Sequence, residues 1–372
     1  MPLPQFKRLK APPSDVIEVS LIGPGYGESI VVHIGDGEWI IVDSCLEENS
    51  QSQSSAVAYL NKIGVDFAKQ VSHVIATHWH DDHIGGLSEV VDCCEFADFC
   101  CAMALRGEEF LGFAAVYAET DPAPSARSTQ EIIKILEILE QRGKKPKFLL
   151  TDTLIRKTEK NVKVFALSPS NERIASFLSR LAEKIPELGT TRTRMGDMRP
   201  NDISVALLID LGDDAILLGA DLEEMPGGGW SAIANDSQSI KNTKSSVYKV
   251  AHHGSKTGEF ADIWENLLIP TPFAILTPFS RGRKPLPSKE DVKRIRERTT
   301  KAYSSARLTS TASTKRNNSV EKTIRRYGWG IRKAYPKQGH VRLRRCLKNS
   351  EPDWSVELFG NATHLKGVWS RR

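Results

Sequence analysis

Residues 77–86 constrain this chain more than any other part of its sequence. They read Thr-His-Trp-His-Asp-Asp-His-Ile-Gly-Gly and overlap the end of an apolar run, residues 71–77, which predicts a short buried strand. His78 and His80 are two residues apart where this strand ends. Their side chains therefore point the same way and can hold one metal ion together.

Asp82 and His83 follow at the predicted turn into a helix, where Gly85 and Gly86 allow the backbone to bend sharply. These two residues supply a second set of ligands. Imidazole and carboxylate donors without a thiolate suit zinc, iron or manganese at a hydrolytic site. The segment therefore predicts a metal site of a hydrolytic enzyme.

Two later segments also end buried strands with metal-ligand residues. Residues 215–220 lead into Asp221, and residues 247–251 lead into the pair His252 and His253. Open α/β sheets place their ligands at the carboxyl ends of strands. We therefore expect Asp221 to bridge two metal ions and one histidine of the pair to complete the second metal site.

The rest of the pattern alternates strands with amphipathic helices. An Asp-Gly step within residues 35–37 predicts a tight hairpin turn. Ser128 stands three residues before Glu131, which predicts a capping box at the start of a helix, and Ser288 is the expected N-cap of another. The predicted strands are residues 16–22, 29–34, 38–42, 71–77, 161–167, 204–211, 215–220 and 247–251. The predicted helices are residues 50–64, 128–143, 172–185 and 287–298.

Composition excludes several classes of protein. With 372 residues, of which 40% are hydrophobic and 26% charged, the chain can bury a large core and is not globally disordered. No apolar stretch approaches the roughly 18 residues that a membrane helix needs, and residues 1–15 have no apolar signal region. Six cysteines are too few for a disulfide scaffold and indicate a reducing compartment, so we expect a cytoplasmic protein without a membrane partner.

Charge is distributed unevenly along the chain. From Arg281 onward there are 25 Lys and Arg against seven Asp and Glu, which leaves 26 basic and 39 acidic residues before that point. An acidic body with a basic tail is typical of an enzyme whose extension faces a polyanion, although a merely solvated tail is the alternative. We therefore divide the chain into an N-terminal extension (1–15), a catalytic domain (16–298), a flexible linker or loop (299–319) and a basic C-terminal appendage (320–372) with paired strands at 340–347 and 354–359.

These motifs resemble the metallo-β-lactamase superfamily, whose signature is a His-x-His-x-Asp-His run, a later Asp at a strand end and a late His. Three segments resemble its ComEC-like branch: Asn201-Asp202-Ile203-Ser204, Gly219-Ala220-Asp221, and Ala251-His252-His253-Gly254-Ser255-Lys256. That branch includes the nuclease domain of DNA-uptake channels and is similar to bacterial phosphorylcholine esterases. Over residues 16–298 the resemblance implies an α/β fold, an αββα sandwich with a dinuclear site at one sheet edge, followed here by a small basic C-terminal extension.

The resemblance also implies two divalent metal ions, zinc or manganese, and a residue set for each. The first site is assigned His78, His80 and Asp221. The second site is assigned Asp82, His83, Asp221 and either His252 or His253. Asp43 matches a carboxylate that orients the ligand histidines in the family.

Three positions depart from the family pattern. No histidine occurs between His83 and His252, and Leu167-Ser168-Pro169 stands where the third histidine of the first site is usual. The first metal is therefore expected to bind more weakly, or to take a water or substrate oxygen. Leu286-Pro287 stands where this branch commonly has His-Pro, and Asp43-Ser44-Cys45 replaces the more usual Asp-Thr-Gly.

The expected reaction is hydrolysis by a metal-activated hydroxide, because a bound metal ion lowers the pKa of water to about 7. Asp82 and Asp221 are expected to position this nucleophile. The histidine of the 252/253 pair that is not a ligand, with His253 as the preferred catalytic candidate, is expected to contact the phosphate or protonate the leaving group. Asn201, Ser255 and Lys256 are candidate phosphate contacts.

Three functions remain open at this stage. The first is a nuclease or phosphodiesterase that binds nucleic acid through the basic C-terminal region, where aromatic and basic side chains alternate. Those side chains are Tyr327, Trp329, Tyr335, Arg325, Arg326, Arg332 and Lys333. The second is a hydrolase of a small ester, lactone, thioester or peptide, whose tail docks a protein partner in a complex. The third is a metal-stabilised binding component without enzymatic activity.

Overall fold

Two eight-stranded sheets form the body of the chain in the computed structural model. The structure describes residues 10–23, 27–47, 53–106, 124–183, 199–241, 244–280, 285–308, 338–348 and 353–367. Its strands are β1 (Val16–Gly23), β2 (Ser29–His33), β3 (Trp39–Val42), β4 (Val71–Ala76), β5 (Asp98–Ala102), β6 (Lys147–Leu149), β7 (Thr153–Lys157), β8 (Lys163–Ala166), β9 (Leu207–Asp210), β10 (Ala215–Leu218), β11 (Ser245–Lys249), β12 (Leu268–Leu276), β13 (Ala302–Ser304), β14 (Gly339–Cys346), β15 (Ser355–Gly360) and β16 (Thr363–His364).

Helices connect the parallel strands and cover the outer faces of the sheets. They are α1 (Ser55–Ile63), α2 (Phe67–Gln70), α3 (Asp81–Ile84), α4 (Leu87–Cys93), α5 (Pro124–Gln141), α6 (Asn171–Ala182), α7 (Gly229–Asp236) and α8 (Lys289–Arg298). A π-helical turn at Ile263–Leu267 precedes β12. None of the helices in the described ranges is both long enough and apolar enough to cross a membrane.

Each sheet changes from antiparallel to parallel pairing along its width. The first sheet has the order β15-β14-β1-β2-β3-β4-β5-β6, and its pairs are antiparallel as far as β3 and parallel from β3 to β6. The second has the order β16-β13-β12-β11-β10-β9-β8-β7, with parallel pairs from β10 to β13. The predicted hairpin between β2 and β3 is confirmed, since Gly35, Asp36 and Gly37 all have positive φ angles.

The second sheet buries both of its faces. On β10, Ile216 and Leu218 join the core that lies between the sheets, whereas Ala215 and Leu217 join a second core with α7 and α8. Alternate side chains of a strand point to opposite faces, so this division places helices and the other sheet on opposite sides of β10. The αββα sandwich expected from the sequence is therefore confirmed.

One predicted helix boundary is wrong, whereas another is confirmed. Ser128 lies inside α5, one turn after its start, and its hydroxyl donates to the carboxylate of Asp81 instead of capping the helix. At α8 the expected cap is present, because Ser288 accepts from the backbone N–H of Asp291 and donates its own backbone N–H to that side chain.

The chain after residue 298 contributes to both sheets. Ala302–Ser304, which the sequence places in a flexible linker, forms the buried strand β13 beside β12. The predicted strands at 340–347 and 354–359 do pair with each other as β14 and β15, but β14 also pairs with β1 along its whole length. In the described residues this region therefore completes the first sheet rather than standing apart as an appendage. Its apolar alternation, with Val341 and Leu343 fully buried, explains why it joins the core.

Candidate metal centre

The predicted ligands converge at one end of the sandwich. Asp43 follows β3 and His78 to His83 follow β4 in the first sheet, while Asp221 follows β10 and His253 follows β11 in the second. All four strands belong to the parallel parts of the sheets and end at the same edge. The fold therefore places histidine and aspartate side chains from distant parts of the sequence in one cluster.

Four buried side chains form the centre of this cluster, namely Asp82, His83, Asp221 and His253. His253 Nε2 lies 3.0 Å from Asp82 Oδ2 and 3.3 Å from Asp221 Oδ2. His83 Nε2 lies 3.3 Å from Asp221 Oδ1 and 3.7 Å from Asp82 Oδ2. One donor atom from each residue lies within 4.8 Å of those from the others. Two imidazoles and two carboxylates at such spacing are a donor set suited to divalent metal ions.

Two orphaned atoms show that these residues fit a metal ion. His83 Nε2 and Asp221 Oδ1 are buried and have no hydrogen-bond partner among the described residues. Buried polar atoms are nearly always paired, so orphans that face each other indicate a ligand. A divalent cation between them would satisfy both atoms.

His78 and His80 lie directly beside this centre. His78 Nε2 is 3.0 Å from His80 Nδ1, and the ring centroids of His78 and His83 are 4.3 Å apart. The pair therefore brings two more imidazole nitrogens to the cluster. The structure thus brings together His78, His80, His83 and His253, where the sequence left His252 and His253 as alternatives.

Hydrogen bonds on the outer side of the cluster fix the orientation of its histidines. Asp43 Oδ2 accepts from His83 Nδ1 at 2.7 Å, and the carbonyl of Thr277 accepts from His253 Nδ1 at 2.9 Å. Asp43 also accepts from the backbone N–H and the hydroxyl of Thr77, at 2.8 and 2.7 Å. Each Nδ1 proton is thereby held away from the cluster, and each Nε2 faces it.

Burial and nearby charges raise the pKa of His253 and lower the pKa values of Asp82 and His78. Burial lowers the pKa of His253, but the carboxylates of Asp221 and Asp82 outweigh it and raise the pKa to about 10. Burial opposes ionisation of Asp82 as well, yet the two facing imidazoles lower its pKa below the ordinary value. Burial, together with the neighbouring imidazole of His83, lowers the pKa of His78 well below its usual value. His78 therefore stays neutral, the form in which an imidazole binds a metal ion, whereas His253 holds a proton that a bound cation would displace.

One protein-family model matches part of the chain and agrees with the fold described above. The model of the Metallo-beta-lactamase superfamily matches residues 22–114, the part of the chain that carries the His-x-His-x-Asp-His run. The fold is that of the metallo-beta-lactamases. The fold suggests a metal-dependent hydrolase, because this is a superfamily of such enzymes. The sequence matches no protein of curated function.

Several solved structures are similar to the chain at low identity. One is the metallo-beta-lactamase fold protein YhfI from Bacillus subtilis, 14% identical over 57% of this chain and 65% of that one, with a TM-score of 0.29. Another is MEM-A1, a subclass B3 metallo-beta-lactamase from a soil metagenome library, 13% identical over 69% of this chain and 81% of that one, with a TM-score of 0.34. A third is a metallo-beta-lactamase from Cronobacter sakazakii, 13% identical over 66% of this chain and 80% of that one, with a TM-score of 0.36.

The structure distinguishes the two histidines that the sequence leaves open. His253 faces the cluster, whereas His252 points to Thr257 Oγ1 at 2.7 Å and to Glu223 Oε1 at 3.1 Å. Both residues have positive φ angles, 46° and 52°, and this unusual backbone turns successive side chains to different sides. Left-handed conformations at non-glycine residues are a form of strain that clusters at functional sites.

Of the three candidate phosphate contacts, one lies beside the cluster. Asn201 Nδ2 donates to Glu223 Oε1 at 3.0 Å and lies 3.5 Å from His252 Nε2. Ser255 instead accepts from the backbone N–H of Thr257 and caps the short helical turn that follows, while Lys256 is exposed. Asn201 and His252 therefore form a polar group next to the clustered histidines, and Ser255 has a structural partner of its own.

Two of the departures from the family pattern have structural explanations. Ser168 is buried, donates to the carbonyl of Ser204 and accepts from the backbone N–H of Ala206, so it joins the segment after β8 to the segment before β9. Leu286 pairs through its backbone with Phe279, whose ring stacks on the imidazole of His253 at 5.3 Å. An apolar wall thus lies where the branch commonly has a histidine.

Sequence reasoning missed two charged residues of this centre, Glu28 and Lys249. Both are fully buried, and the Lys249 ammonium pairs with Glu28 Oε1 behind His83 and His253. One signal was available for Lys249, because a charged residue stands in an otherwise apolar predicted strand, and lysine is almost never buried unless it is paired. Glu28 lies just before β2 and has no comparable signal.

Proposed function

We propose that this chain is a metal-dependent hydrolase that cleaves phosphodiester bonds in nucleic acid. The observation that carries the hydrolase part is the buried cluster of Asp82, His83, Asp221 and His253, with unpaired donor atoms facing its centre. A cluster that only stabilised the fold would have its donors paired with one another or with the backbone.

Two divalent ions, zinc or manganese, are the proposed cofactors. Asp82, His83, Asp221 and His253 would hold one ion, and His78, His80 and Asp221 would hold the other. When bound, such ions supply Lewis-acid chemistry for hydrolysis. Asp221, which lies between the imidazoles of His83 and His253, would be shared by both ions.

The protein's own groups have separate tasks in this proposal. Asp82 and Asp221 fix the positions of the reacting groups, because both are buried and held by the facing imidazoles. Asp43 and the Thr277 carbonyl keep the protons of His83 and His253 on the far side of each ring. Asn201 Nδ2 and His252 Nε2 lie next to the cluster and would exchange their present partners, Glu223 and each other, for phosphate oxygens of the substrate.

The choice of a phosphodiester substrate is supported by two of the three ComEC-like segments. Asn201 in one and His252 in the other are 51 positions apart in sequence, yet their side chains lie 3.5 Å from each other at the same edge of the cluster. The segments that carry the resemblance to nucleases are thus joined to the candidate site. Tyr327, Trp329 and Tyr335 with their basic neighbours, named above as nucleic-acid contacts, lie outside the described residues.

One observation favours the second candidate, a hydrolase of small esters, lactones, thioesters or peptides. The described basic residues of β14 and its surroundings pair with carboxylates of β15 and of the rest of the fold instead of forming a free basic surface. The pairs are Arg342–Glu357, Arg344–Glu18, Arg345–Asp214 and Lys348–Asp15. Affinity for a polyanion would then have to come from other basic residues, and the tail would serve a protein partner.

A cleavage screen tests the proposal. The protein, supplied with zinc or manganese, is incubated with single-stranded DNA, duplex DNA and RNA, with bis(p-nitrophenyl) phosphate, and with a panel of small esters and lactones. We expect cleavage of nucleic acid and of the phosphodiester, and loss of both in Asp82→Ala. Turnover of esters or lactones alone would favour the second candidate.

The matched control is Asp214→Asn. Asp214 is also a buried carboxylate, but it lies before β10, whereas Asp221 lies after it. This variant is expected to cleave the same substrates as the wild type. A folded wild-type protein that binds metal and hydrolyses none of the substrates would refute the proposed activity.

A further inference from the structure

The Glu28–Lys249 pair lies inside the molecule, where an ion pair is costly. Glu28 precedes β2 of the first sheet, Lys249 is the last residue of β11 in the second, and both are 0% exposed. The Lys249 ammonium contacts Glu28 Oε1. Because apolar residues of similar size often stabilise a fold as well as a buried ion pair does, stability alone does not explain this one.

Glu28 lies behind both of the central imidazoles. Its Oε1 is 3.7 Å from His83 Nδ1, and its Oε2 is 3.8 Å from His253 Nδ1. The backbone N–H of Glu28 also donates to the carbonyl of Asp82 at 2.9 Å. This one residue therefore contacts the outer side of two histidines and the backbone of a third member of the cluster.

Lys249 contacts the cluster from another direction. Its Nζ donates to the carbonyl of Ala220 at 2.9 Å and lies 3.8 Å from Asp221 Oδ1. Ala220 has a φ angle of 44°, an uncommon conformation for a residue with a Cβ. The ammonium thus holds the strained residue that turns the chain into Asp221.

The Lys249 ammonium lies beside a second group of possible metal ligands, which we call the inner group: Glu28, Asp43 and His83. Donor atoms of Glu28, Asp43 and His83 lie within 4.8 Å of one another, a spacing at which such residues can hold a metal ion. His83 donates its Nδ1 proton to Asp43, and Lys249 pairs with Glu28. The Lys249 side chain therefore supplies the positive charge that balances the carboxylate of Glu28.

We propose that Lys249 is a positioning residue of the metal centre, a fixed internal cation that holds Glu28 behind His83 and His253 and holds Ala220 before Asp221. It orients the ligands without touching substrate. It also keeps the inner carboxylate Glu28 from turning toward the ions of the outer cluster. This inference depends on the metal centre of the proposed function, although not on the substrate.

Three variants test the inference by metal binding rather than by activity. Lys249→Met removes the cation and keeps most of the volume, and the double variant Glu28→Gln/Lys249→Met removes both charges. Arg345→Met is the matched control, because Arg345 is also fully buried and paired with the buried Asp214. Each is measured for zinc affinity by competition with a chelator, and for the visible absorption spectrum of bound cobalt, which reports ligand geometry.

We expect Lys249→Met to weaken zinc binding by about 10- to 100-fold, the range seen when groups that orient metal ligands are removed, and to change the cobalt spectrum. The double variant should recover roughly half of that loss or more, since no uncompensated carboxylate remains. Arg345→Met should bind zinc as the wild type does. If Lys249→Met does not fold, the double variant takes its place: an affinity within about tenfold of the wild type together with a changed cobalt spectrum supports the inference, and an unchanged spectrum overturns it.

Each contrary result has a distinct meaning. Wild-type affinity and an unchanged spectrum in Lys249→Met would overturn the inference and leave the metal centre standing. A double variant no better than Lys249→Met, or one that loses more than about 100-fold, would overturn the role assigned to the pair. Absence of metal binding in the wild type would refute the metal centre and this inference together.

Discussion

Asp43→Asn is the substitution whose effect the structure defines most closely. Asp43 is buried and accepts three hydrogen bonds, two at Oδ2 from His83 Nδ1 and the Thr77 hydroxyl, and one at Oδ1 from the Thr77 backbone. Asparagine can keep the bond at Oδ1. Its amide nitrogen then replaces Oδ2 and presents protons to His83 Nδ1, which is itself a donor.

The imidazole of His83 can relieve this conflict only by changing its tautomer. Nδ1 then accepts from the amide, and the proton moves to Nε2, the atom that faces Asp221. A protonated Nε2 cannot bind metal. A lost hydrogen bond to a charged group is worth about 1.5–3 kcal/mol, which corresponds to roughly a 10- to 100-fold weaker metal affinity.

The assay is chelator competition for zinc, together with urea unfolding of the metal-free protein. Asp214→Asn is again the control, because Asp214 is buried and accepts from Ser246 Oγ at 2.6 Å and Arg345 Nη1 at 2.9 Å, away from the ligands. It is expected to lose folding stability and keep its zinc affinity. The reasoning is refuted if Asp43→Asn binds zinc as tightly as the wild type, or if the control weakens binding equally.

Three further predictions concern stability. Gly27→Ala should lower the free energy of unfolding by about 1–3 kcal/mol and weaken zinc binding. Gly27 has a φ of 90°, and an added Cβ would lie 2.9 Å from the Asp82 carbonyl oxygen. Thermal melting and chelator competition measure the two effects. Ser128→Ala should lower the unfolding free energy in urea by about 1–2 kcal/mol, since it removes the hydrogen bond to Asp81. An unchanged free energy would contradict the contribution assigned to this bond. Burial lowers the pKa of His340 to about 3. Below about pH 6.5 the unfolded chain therefore binds a proton at this histidine and the folded chain does not. The free energy of unfolding should fall by up to about 1.4 kcal/mol per pH unit as the pH drops from 6.5 toward 3. Urea unfolding of metal-free His340→Phe should show a shallower fall than the wild type, and equal slopes would contradict the assignment.

The elements that position the site could be predicted from sequence because their signals are local. The runs before Asp43, His78 and Asp221 are short, apolar and bounded by turn residues, so each predicts a buried strand whose end carries a polar side chain. The rule that ligands lie at the carboxyl ends of parallel strands then brings them together. The structure places all of these residues in one cluster.

The remaining features depend on contacts that no local pattern contains. Ser128 and Glu131 have the spacing of a capping box, but the hydroxyl of Ser128 is taken by Asp81, which lies 47 residues earlier in the chain. The strand at 302–304 is too short for a periodic signal and forms because β12 offers it an edge.

The choice between His252 and His253 was likewise beyond sequence reasoning. It depends on two successive positive φ angles, which residue type alone does not predict at histidine. The partnership of Glu28 with Lys249 joins two sheets across 221 positions of sequence, so it appears only in the folded chain.

Anomalous X-ray diffraction from crystals grown with zinc tests the central claim most directly. Data collected on both sides of the zinc absorption edge locate the ions without reference to activity. The account predicts one peak within bonding distance, about 2.0–2.2 Å, of His83 Nε2, His253 Nε2 and carboxylate oxygens of Asp82 and Asp221, with a second beside His78 and His80. Zinc bound elsewhere in the molecule, with no peak among these side chains, would contradict it.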